Sequence, residues 1–277
     1  MNIQTALLVT TLAAVSLARA ESGLTMAAYA PIDTDVEITS LTLGYRADGT
    51  AQESFVALPA SAKTAPAPAI LICYNWMGPS LYFEHRAKAL ASMGYVAMVA
   101  DPYGTDLRPS NTQEASAATS SMYADPATFR ARLQSSLTQL RGLDAVDAER
   151  IAAIGYCFGG ASVLELARAN APLKGVVSFH GALKTQMPAE GSVAVPMLVL
   201  HGDVDPFVPD SEVDAFLAEM RGATADFQFV RFSQAVHSFT NPNANMPGKA
   251  EYHAPSAVRS WEMALDFLSR VLDHPRR

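Results

Sequence analysis

The chain has 277 residues, of which 49% are apolar and 17% are charged, and its formal net charge is −7. This balance is typical of a globular protein and excludes a disordered one. The negative charge, together with the lack of any run of Lys and Arg, argues against a partner that is nucleic acid or an anionic membrane surface. The length leaves room for one large domain or two small ones.

The first twenty residues differ in kind from the rest of the chain. Ala6 to Leu17 is an apolar stretch, and Ala18-Arg19-Ala20 has the small-x-small pattern of a signal cleavage site. We therefore expect residues 1–20 to be a signal peptide that is cleaved after Ala20, so that the mature protein is periplasmic or secreted. We expect no membrane association after cleavage. The first five residues lack the basic charge of such signals, so an N-terminal core helix is the alternative.

The predicted elements begin with an antiparallel hairpin. Val36–Ile38 and Leu41–Leu43 alternate with polar residues as a half-buried strand does, and Asp48-Gly49 indicates a turn. Glu53–Leu58 is the expected partner strand, and a connector rich in Pro and Ala follows it at residues 60–68.

Beyond the hairpin, strand and helix patterns alternate. The predicted strands lie at residues 69–73, 96–100, 151–154, 175–179, 197–200 and 227–232, and the predicted helices at residues 82–93, 126–143, 161–169, 212–221 and 258–272. This alternation predicts an α/β fold, with a mostly parallel central sheet, helices on both faces and the hairpin at one edge. No element is predicted over residues 106–124, a weakly patterned segment that we expect over the carboxyl ends of the strands, where such sheets bind ligands.

The sharpest chemical motif is the sequence GYCFG at residues 155–159. It follows an apolar strand and opens a helix, as the nucleophile elbow G-x-S-x-G does, with Cys157 in place of Ser. Side chains two residues before and after the nucleophile would collide with backbone, which explains Gly155 and Gly159. The helix N-terminus favours a thiolate, and the N–H of Phe158 is expected to face a developing oxyanion. A buried structural cysteine is the alternative.

Two further residues complete a triad in chain order. Asp205 follows an apolar strand, and His237 lies between the last strand and the last helix, which is the order of nucleophile, acid and base in hydrolases with this elbow. We predict that His237 is the general base and that Asp205 orients its ring. Asp203 is the competing acid. His180 and His201 also lie at strand ends, but no set of ligands with metal-binding spacing accompanies them, so no metal is predicted.

Together these motifs resemble those of the dienelactone hydrolase family of α/β-hydrolases. The resemblance runs from about Val36 to Leu272, and its carriers are GYCFGG at 155–160, HGDVDPFVP at 201–209, HSF at 237–239, NWMG at 75–78 and DPYG at 101–104. It implies a single α/β-hydrolase domain over residues 21–277. It also implies Cys157 as nucleophile, Asp205 as acid and His237 as base.

The resemblance has further implications for the site. The backbone N–H of Trp76 would be the second oxyanion donor, beside that of Phe158. Members of the family are small hydrolases that open ester or lactone bonds through a thioester and need no cofactor. We also expect substrate-pocket residues on the loops around the triad, namely Asn75, Met77, Tyr103, Tyr123, Phe207 and Asn241.

Three departures from the family pattern concern the thiol, whose activation would then rest on His237 and the helix N-terminus alone, and the substrate. Asn75 stands where the characterised enzyme has a Glu that interacts with the resting thiol, and Asn241 stands where it has an Arg that binds the substrate carboxylate. A second such Arg is expected near Tyr123, but residues 119–122 contain no cation. Without either guanidinium there is no bidentate clamp for an anion. A neutral ester or lactone is therefore the expected substrate.

The sequence leaves rival functions open. A thioesterase, an acyltransferase or a peptidase would use the same triad. A non-catalytic, redox-sensing protein is a second alternative, because Cys73 and Cys157 end neighbouring predicted strands and a disulfide between them would block the nucleophile. The expected partner is a small molecule, and the expected assembly is a monomer or a small homo-oligomer.

Overall fold

The structure is a computed structural model that describes residues 30–275. The predicted signal peptide at residues 1–20 lies outside the described residues. Within residues 30–275, none of the helices combines the length and the apolar character that crossing a bilayer requires.

The predicted hairpin is present at the edge of the sheet. Strand β1 (Ile38–Ala47) pairs antiparallel with β2 (Thr50–Pro59), and Ala47 lies opposite Thr50, so that only two residues form the turn. Asp48 and Gly49 both have positive φ angles, of 49° and 76°. A two-residue type I′ hairpin requires this conformation, and the Asp-Gly pair is among the sequences that adopt it most readily.

The remaining strands extend the hairpin into a mostly parallel sheet. They are β3 (Ala67–Cys73), β4 (Val96–Val99), β5 (Val146–Tyr156), β6 (Val176–Phe179), β7 (Met197–Gly202) and β8 (Phe227–Phe232). Within the described residues the sheet has eight strands in the order β1-β2-β4-β3-β5-β6-β7-β8. Every residue of β3, β4, β6 and β7 is buried. Their uninterrupted apolar sequences match strands that are covered on both faces.

Helices connect the parallel strands and cover the sheet. They are α1 (Leu81–Ser92), α2 (Thr112–Ala124), α3 (Pro126–Arg141), α4 (Phe158–Arg168), α5 (Asp210–Gly222) and α6 (Ala254–Val271). A small hairpin of β9 (Asn245–Met246) and β10 (Ala250–Glu251) precedes α6. The predicted α/β architecture with an antiparallel N-terminal hairpin is confirmed.

Helix α2 corrects the sequence analysis, which predicted no element over residues 106–124. The Asn111 side chain caps this helix by accepting a hydrogen bond from the Glu114 N–H at 2.9 Å. The Glu114 carboxylate in turn accepts from the N–H of Ser110 at 2.8 Å. This reciprocal capping fixes the start of a helix whose Ala- and Ser-rich sequence has almost no apolar stripe.

The topology brings four loops to one edge of the sheet. The segment at residues 74–80 follows β3, Cys157 follows β5, Asp205 follows β7, and His237 follows β8. These strands are parallel, so their carboxyl ends lie at the same edge. That edge is where ligands bind in open α/β sheets.

Candidate active site

Cys157 occupies a strained turn between β5 and α4. Its φ angle is 57°, in the left-handed region that residues with a Cβ rarely adopt. A Cβ on Gly159 would lie 2.0 Å from the Cys73 carbonyl oxygen, and a Cβ on Gly155 would lie 1.8 Å from the Gly159 oxygen. Both positions therefore require glycine, because the turn presses the backbone of α4 against β3 at Gly159 and against β5 at Gly155.

A thiol, an imidazole and a carboxylate form a continuous hydrogen-bonded chain. The Nε2 atom of His237 lies 3.0 Å from Sγ of Cys157, and its Nδ1 atom lies 2.8 Å from Oδ2 of Asp205. The Asp205 side chain is fully buried, and its other oxygen accepts the N–H of Phe207 at 2.9 Å. The carboxylate is thereby fixed, and it orients the ring with Nε2 toward the sulfur.

The backbone around His237 is held by the small hairpin. The N–H of His237 donates to the Lys249 carbonyl at 3.2 Å, and the N–H of Glu251 donates to the His237 carbonyl at 3.0 Å. His237 pairs with Ala250 as an isolated bridge. The loop that carries the imidazole is therefore tied to β10.

The electrostatics of this chain favour a thiolate–imidazolium pair. Burial on its own raises the pKa of the Cys157 thiol, but the charge and the hydrogen bond of His237 lower it by more, so the pKa decreases overall. Burial likewise disfavours a charged His237, yet the neighbouring Cys157 and the hydrogen bond that the ring donates to Asp205 raise its pKa to about 10. Each charge stabilises the other, because the two atoms are in contact inside a low-dielectric site.

The backbone N–H groups of Phe158 and Trp76 lie near the Cys157 sulfur, and both lower the pKa of the thiol. Phe158 is the first residue of α4, so its N–H is free of any bond within the helix. Trp76 lies in a tight turn in which the Gly78 N–H donates to the Asn75 carbonyl at 3.0 Å. The two N–H groups that the sequence analysis singled out therefore meet at the thiol.

Aromatic rings form the wall beside these N–H groups. The ring of Phe158 stacks on Tyr103 and on Phe129, each with centroids 5.1 Å apart, and Tyr123 meets it edge-on at 5.8 Å. Tyr103 is 1% exposed, so it lies inside this wall. Phe207 is 53% exposed, and its ring lies 5.3 Å from that of His237, at the open side of the site.

The other expected pocket residues lie on the loops that carry the site. The Asn75 side-chain oxygen accepts the N–H of Met77 at 2.9 Å, which leaves both residues half-buried in the turn after β3. Asn241 is half-buried in the loop after His237, and its side-chain oxygen accepts the N–H of Asn243 at 3.0 Å.

The residues weighed as alternatives have other partners. Cys73 and Cys157 are both free thiols, so the disulfide of the redox alternative is not formed. Cys73 is fully buried, and burial raises its pKa to about 12. Asp203 forms an ion pair with Arg231. His180 lies 5.2 Å from the His237 ring, and burial keeps its pKa well below the ordinary value.

The sequence analysis assigned no catalytic or binding role to two residues that the structure buries. Asp101 is fully buried beside the site and accepts hydrogen bonds from the Tyr74 hydroxyl at 3.0 Å and from Arg108 at 2.7 Å. A carboxylate directly after the apolar strand β4 is the signal that would have indicated it. His201 is buried against Phe229, and burial lowers its pKa. Among residues 30–275, no group of three or more His, Cys, Asp or Glu side chains is arranged to hold a metal ion.

The sheet order and the nucleophile-elbow turn define the chain as an α/β-hydrolase. More narrowly, it belongs to the dienelactone hydrolase family, whose profile matches residues 53–272. The family makes the protein a hydrolase of carboxylic esters or lactones with a small-molecule substrate.

Known relatives support this assignment. The chain is 28% identical over 223 residues to a carboxymethylenebutenolidase of Pseudomonas putida, covering 78% of this chain and 91% of that one. It is 37% identical over 154 residues to an uncharacterised protein of Caenorhabditis elegans, covering 52% of this chain and 94% of that one. A crystal structure of a dienelactone hydrolase-like promiscuous phosphotriesterase from metagenomic libraries is 33% identical, with a TM-score of 0.79, covering 84% of this chain and 98% of that one.

Proposed function

We propose that the protein hydrolyses a neutral ester or lactone through a thioester formed on Cys157. The observation that carries the proposal is the hydrogen-bonded chain from Cys157 Sγ to His237 Nε2 at 3.0 Å and from His237 Nδ1 to Asp205 Oδ2 at 2.8 Å. This is the geometry that nucleophilic catalysis with an adjacent, oriented base requires.

Acylation begins with attack of the Cys157 thiolate on the substrate carbonyl carbon. The carbonyl oxygen becomes an oxyanion that the N–H groups of Trp76 and Phe158 stabilise, and each such donor contributes on the order of 3 kcal/mol. The tetrahedral intermediate then breaks its bond to the leaving oxygen, which takes the proton from Nε2 of His237. A thioester and a neutral imidazole remain.

Deacylation uses the same groups in reverse. Neutral His237 removes a proton from water, and the resulting hydroxide attacks the thioester carbonyl while the same two N–H groups stabilise the second oxyanion. The carbon–sulfur bond then breaks. The acid product is released, and the Cys157 thiolate and the His237 imidazolium are restored.

A neutral substrate is supported by the side chains around the site. Asn241 occupies the position at which a carboxylate-binding Arg is expected, and residues 119–122, next to Tyr123, carry no positive charge. The exposed ring of Phe207 adds apolar surface at the open side. A carboxylated substrate would lose its hydration without gaining a cationic partner, which is unfavourable.

The experiment is an acyl-enzyme assay with a matched pair of cysteine variants. A neutral aryl acetate should give a burst of aryl alcohol and a mass increase of one acetyl group on the wild type and on Cys73→Ala. Cys157→Ala should show neither. Full turnover by Cys157→Ala would refute the mechanism. A preference for a carboxylated lactone over its methyl ester, measured as kcat/KM, would refute the neutral substrate.

A second candidate activity is the hydrolysis of phosphotriesters. It is favoured by the likeness to the dienelactone hydrolase-like promiscuous phosphotriesterase, at 33% identity over 84% of this chain. The Cys157 thiolate would attack phosphorus and the bond to the aryl oxygen would break, with His237 protonating the departing aryl alcohol, while the N–H groups of Trp76 and Phe158 would stabilise the charged phosphoryl oxygen. Water activated by His237 would then hydrolyse the sulfur–phosphorus bond and restore the thiolate. Release of aryl alcohol from a neutral diethyl aryl phosphate by the wild type, but not by Cys157→Ala, would support this activity. The absence of turnover would exclude it.

We also propose export of the protein, because residues 6–17 are apolar and a small-x-small site precedes Glu21. N-terminal sequencing of the protein purified from its native cells should begin at Glu21. A mature chain that begins at Met1 would refute export through this signal.

A further inference from the structure

Tyr103 contacts both residues whose backbone N–H groups face the thiol. Its hydroxyl lies 3.1 Å from the Trp76 carbonyl oxygen, to which it donates. Its ring stacks on the ring of Phe158, with centroids 5.1 Å apart and planes inclined by 25°. Trp76 and Phe158 lie on separate elements, the turn after β3 and the start of α4. The Tyr103 side chain therefore connects the turn that carries the Trp76 N–H to the helix start that carries the Phe158 N–H.

The Tyr103 hydroxyl completes the set of hydrogen bonds that fixes the turn. The peptide that carries the Trp76 N–H is held at its carbonyl end, because Asn75 accepts the N–H of Gly78 at 3.0 Å. The next peptide is held at both ends, by the Asn75 side chain on the Met77 N–H at 2.9 Å and by Tyr103 on the Trp76 carbonyl. Without Tyr103, that second peptide keeps only one of its two restraints.

The surroundings of the hydroxyl determine the direction in which it donates. Oγ1 of Thr119 lies 3.0 Å from the Tyr103 oxygen, on the side that α2 covers. The Trp76 carbonyl accepts the Tyr103 proton at 3.1 Å, whereas the Thr119 hydroxyl donates its one proton to the Ala115 carbonyl at 2.8 Å. Burial raises the pKa of Tyr103, so the phenol keeps its proton.

The backbone of Tyr103 is itself tied to a buried ion pair. Its N–H donates to the Tyr74 hydroxyl oxygen at 3.0 Å, and that hydroxyl donates to Asp101 at 3.0 Å. Asp101 also accepts the Gly104 N–H at 3.1 Å and is paired with Arg108 at 2.7 Å. The side chain that holds the turn is therefore anchored at its base.

We propose that Tyr103 is a positioning residue for the oxyanion site: its side chain keeps the N–H groups of Trp76 and Phe158 in the relative positions that bind the oxyanion. This inference rests on the proposed function, because it assumes that those two groups stabilise the oxyanion. Tyr103 acts through the backbone of other residues and does not itself contact the substrate. Its contribution thus lies in the transition state and leaves substrate binding unchanged.

The test compares two reactions of the same thiol in Tyr103→Phe. Acylation by a neutral aryl ester forms an oxyanion, whereas alkylation by iodoacetamide forms none. Loss of one oxyanion donor costs about 10²–10³-fold in rate, and here the donor stays but loses one restraint, so we expect acylation to slow about 10-fold. The KM should stay within about twofold of wild type, and so should the alkylation rate when it is measured above the pKa of Cys157, where the thiol is ionised in both proteins and no oxyanion forms.

The control is Tyr45→Phe on the N-terminal hairpin, which also removes a phenol hydroxyl, here one bonded to Ser54 of β2 at 3.0 Å and to Ser136 of α3 at 2.8 Å. It should acylate at the wild-type rate. Should Tyr103→Phe fail to fold, Tyr74→Phe replaces it, with a decrease in acylation of about 3-fold expected, because the hydroxyl that accepts the Tyr103 N–H at 3.0 Å is lost.

Three results would overturn the inference. These are a wild-type acylation rate in Tyr103→Phe, an equal slowing of acylation and alkylation, and a raised KM at unchanged kcat. The first leaves the proposed function intact. Full turnover by Cys157→Ala would instead remove the proposed function, and this inference with it.

Discussion

Replacement of Gly159 by alanine tests the contact between the nucleophile turn and the sheet. The new methyl group would lie 2.0 Å from the Cys73 carbonyl oxygen and 2.6 Å from that of Tyr74, whereas real Cβ contacts are essentially never under 3.0 Å. The Cys73 carbonyl must therefore retreat by about 1 Å. It cannot do so freely, because Cys73 ends β3 and pairs with Gly155 of β5.

The expected cost follows from two opposing terms. Overpacking costs about 1–3 kcal/mol, and we expect the upper end because the obstructing atoms belong to the backbone of a central strand. Alanine gains about 1 kcal/mol over glycine in a helix, which leaves a net loss of about 2 kcal/mol in the free energy of unfolding. Gly222→Ala is the matched control, since Gly222 ends α5 and a Cβ there meets no atom within 4 Å.

Urea unfolding of both variants measures the difference. Gly159→Ala should unfold at a clearly lower urea concentration than the wild type, and Gly222→Ala at an equal or higher one. Esterase activity of Gly159→Ala should fall as well, because the adjacent thiol moves with the turn. Equal midpoints for the two variants would show that the helix and the strand can separate without cost, contrary to the reasoning.

Three further predictions concern charged groups. Alkylation of wild-type Cys157 should remain fast at pH values well below the ordinary pKa of a thiol. In His237→Gln the midpoint of the pH dependence of alkylation should shift upward, because the cation that stabilises the thiolate is lost. An unshifted midpoint would contradict the ion pair. Asp205→Asn should lower the pKa of His237 from about 10, move the alkaline limb of kcat/KM to lower pH and reduce kcat by about 10²-fold or more. A pH profile identical to that of wild type would refute it. Arg168→Met should cost about 3 kcal/mol in urea unfolding, because it removes the cation that pairs with Glu219, while Glu165 keeps its ion pair with Arg130. A loss under about 1 kcal/mol would show that this network is dispensable.

The sequence predicts most strands of the sheet, because strands that are buried on both faces consist almost entirely of apolar residues. The runs at β3, β6 and β7 are apolar at nearly every position, and all of their residues are buried. β5 was predicted too short. Its first half carries Asp147 and Arg150, which pair at 2.7 Å near the surface. A strand that is half in solvent loses the continuous apolar pattern by which buried strands are recognised.

The site was predictable only in part, for a related reason. Chain order and glycine spacing identify Cys157, Asp205 and His237, because a sharp turn constrains local sequence. Tyr103 was expected at the pocket surface, and its place inside the wall depends on distant partners such as Tyr74 and Phe158. Contacts of that kind join separate elements, so no local pattern of residue types indicates them.

The unequal burial of the two cysteines has a practical consequence. Cys73 is sealed inside the sheet, while Cys157 retains some exposure, and the chain contains no others. A folded molecule should thus consume one equivalent of a maleimide, and an unfolded molecule two. The number of maleimide adducts, measured by mass spectrometry, therefore reports the folded fraction without an engineered cysteine.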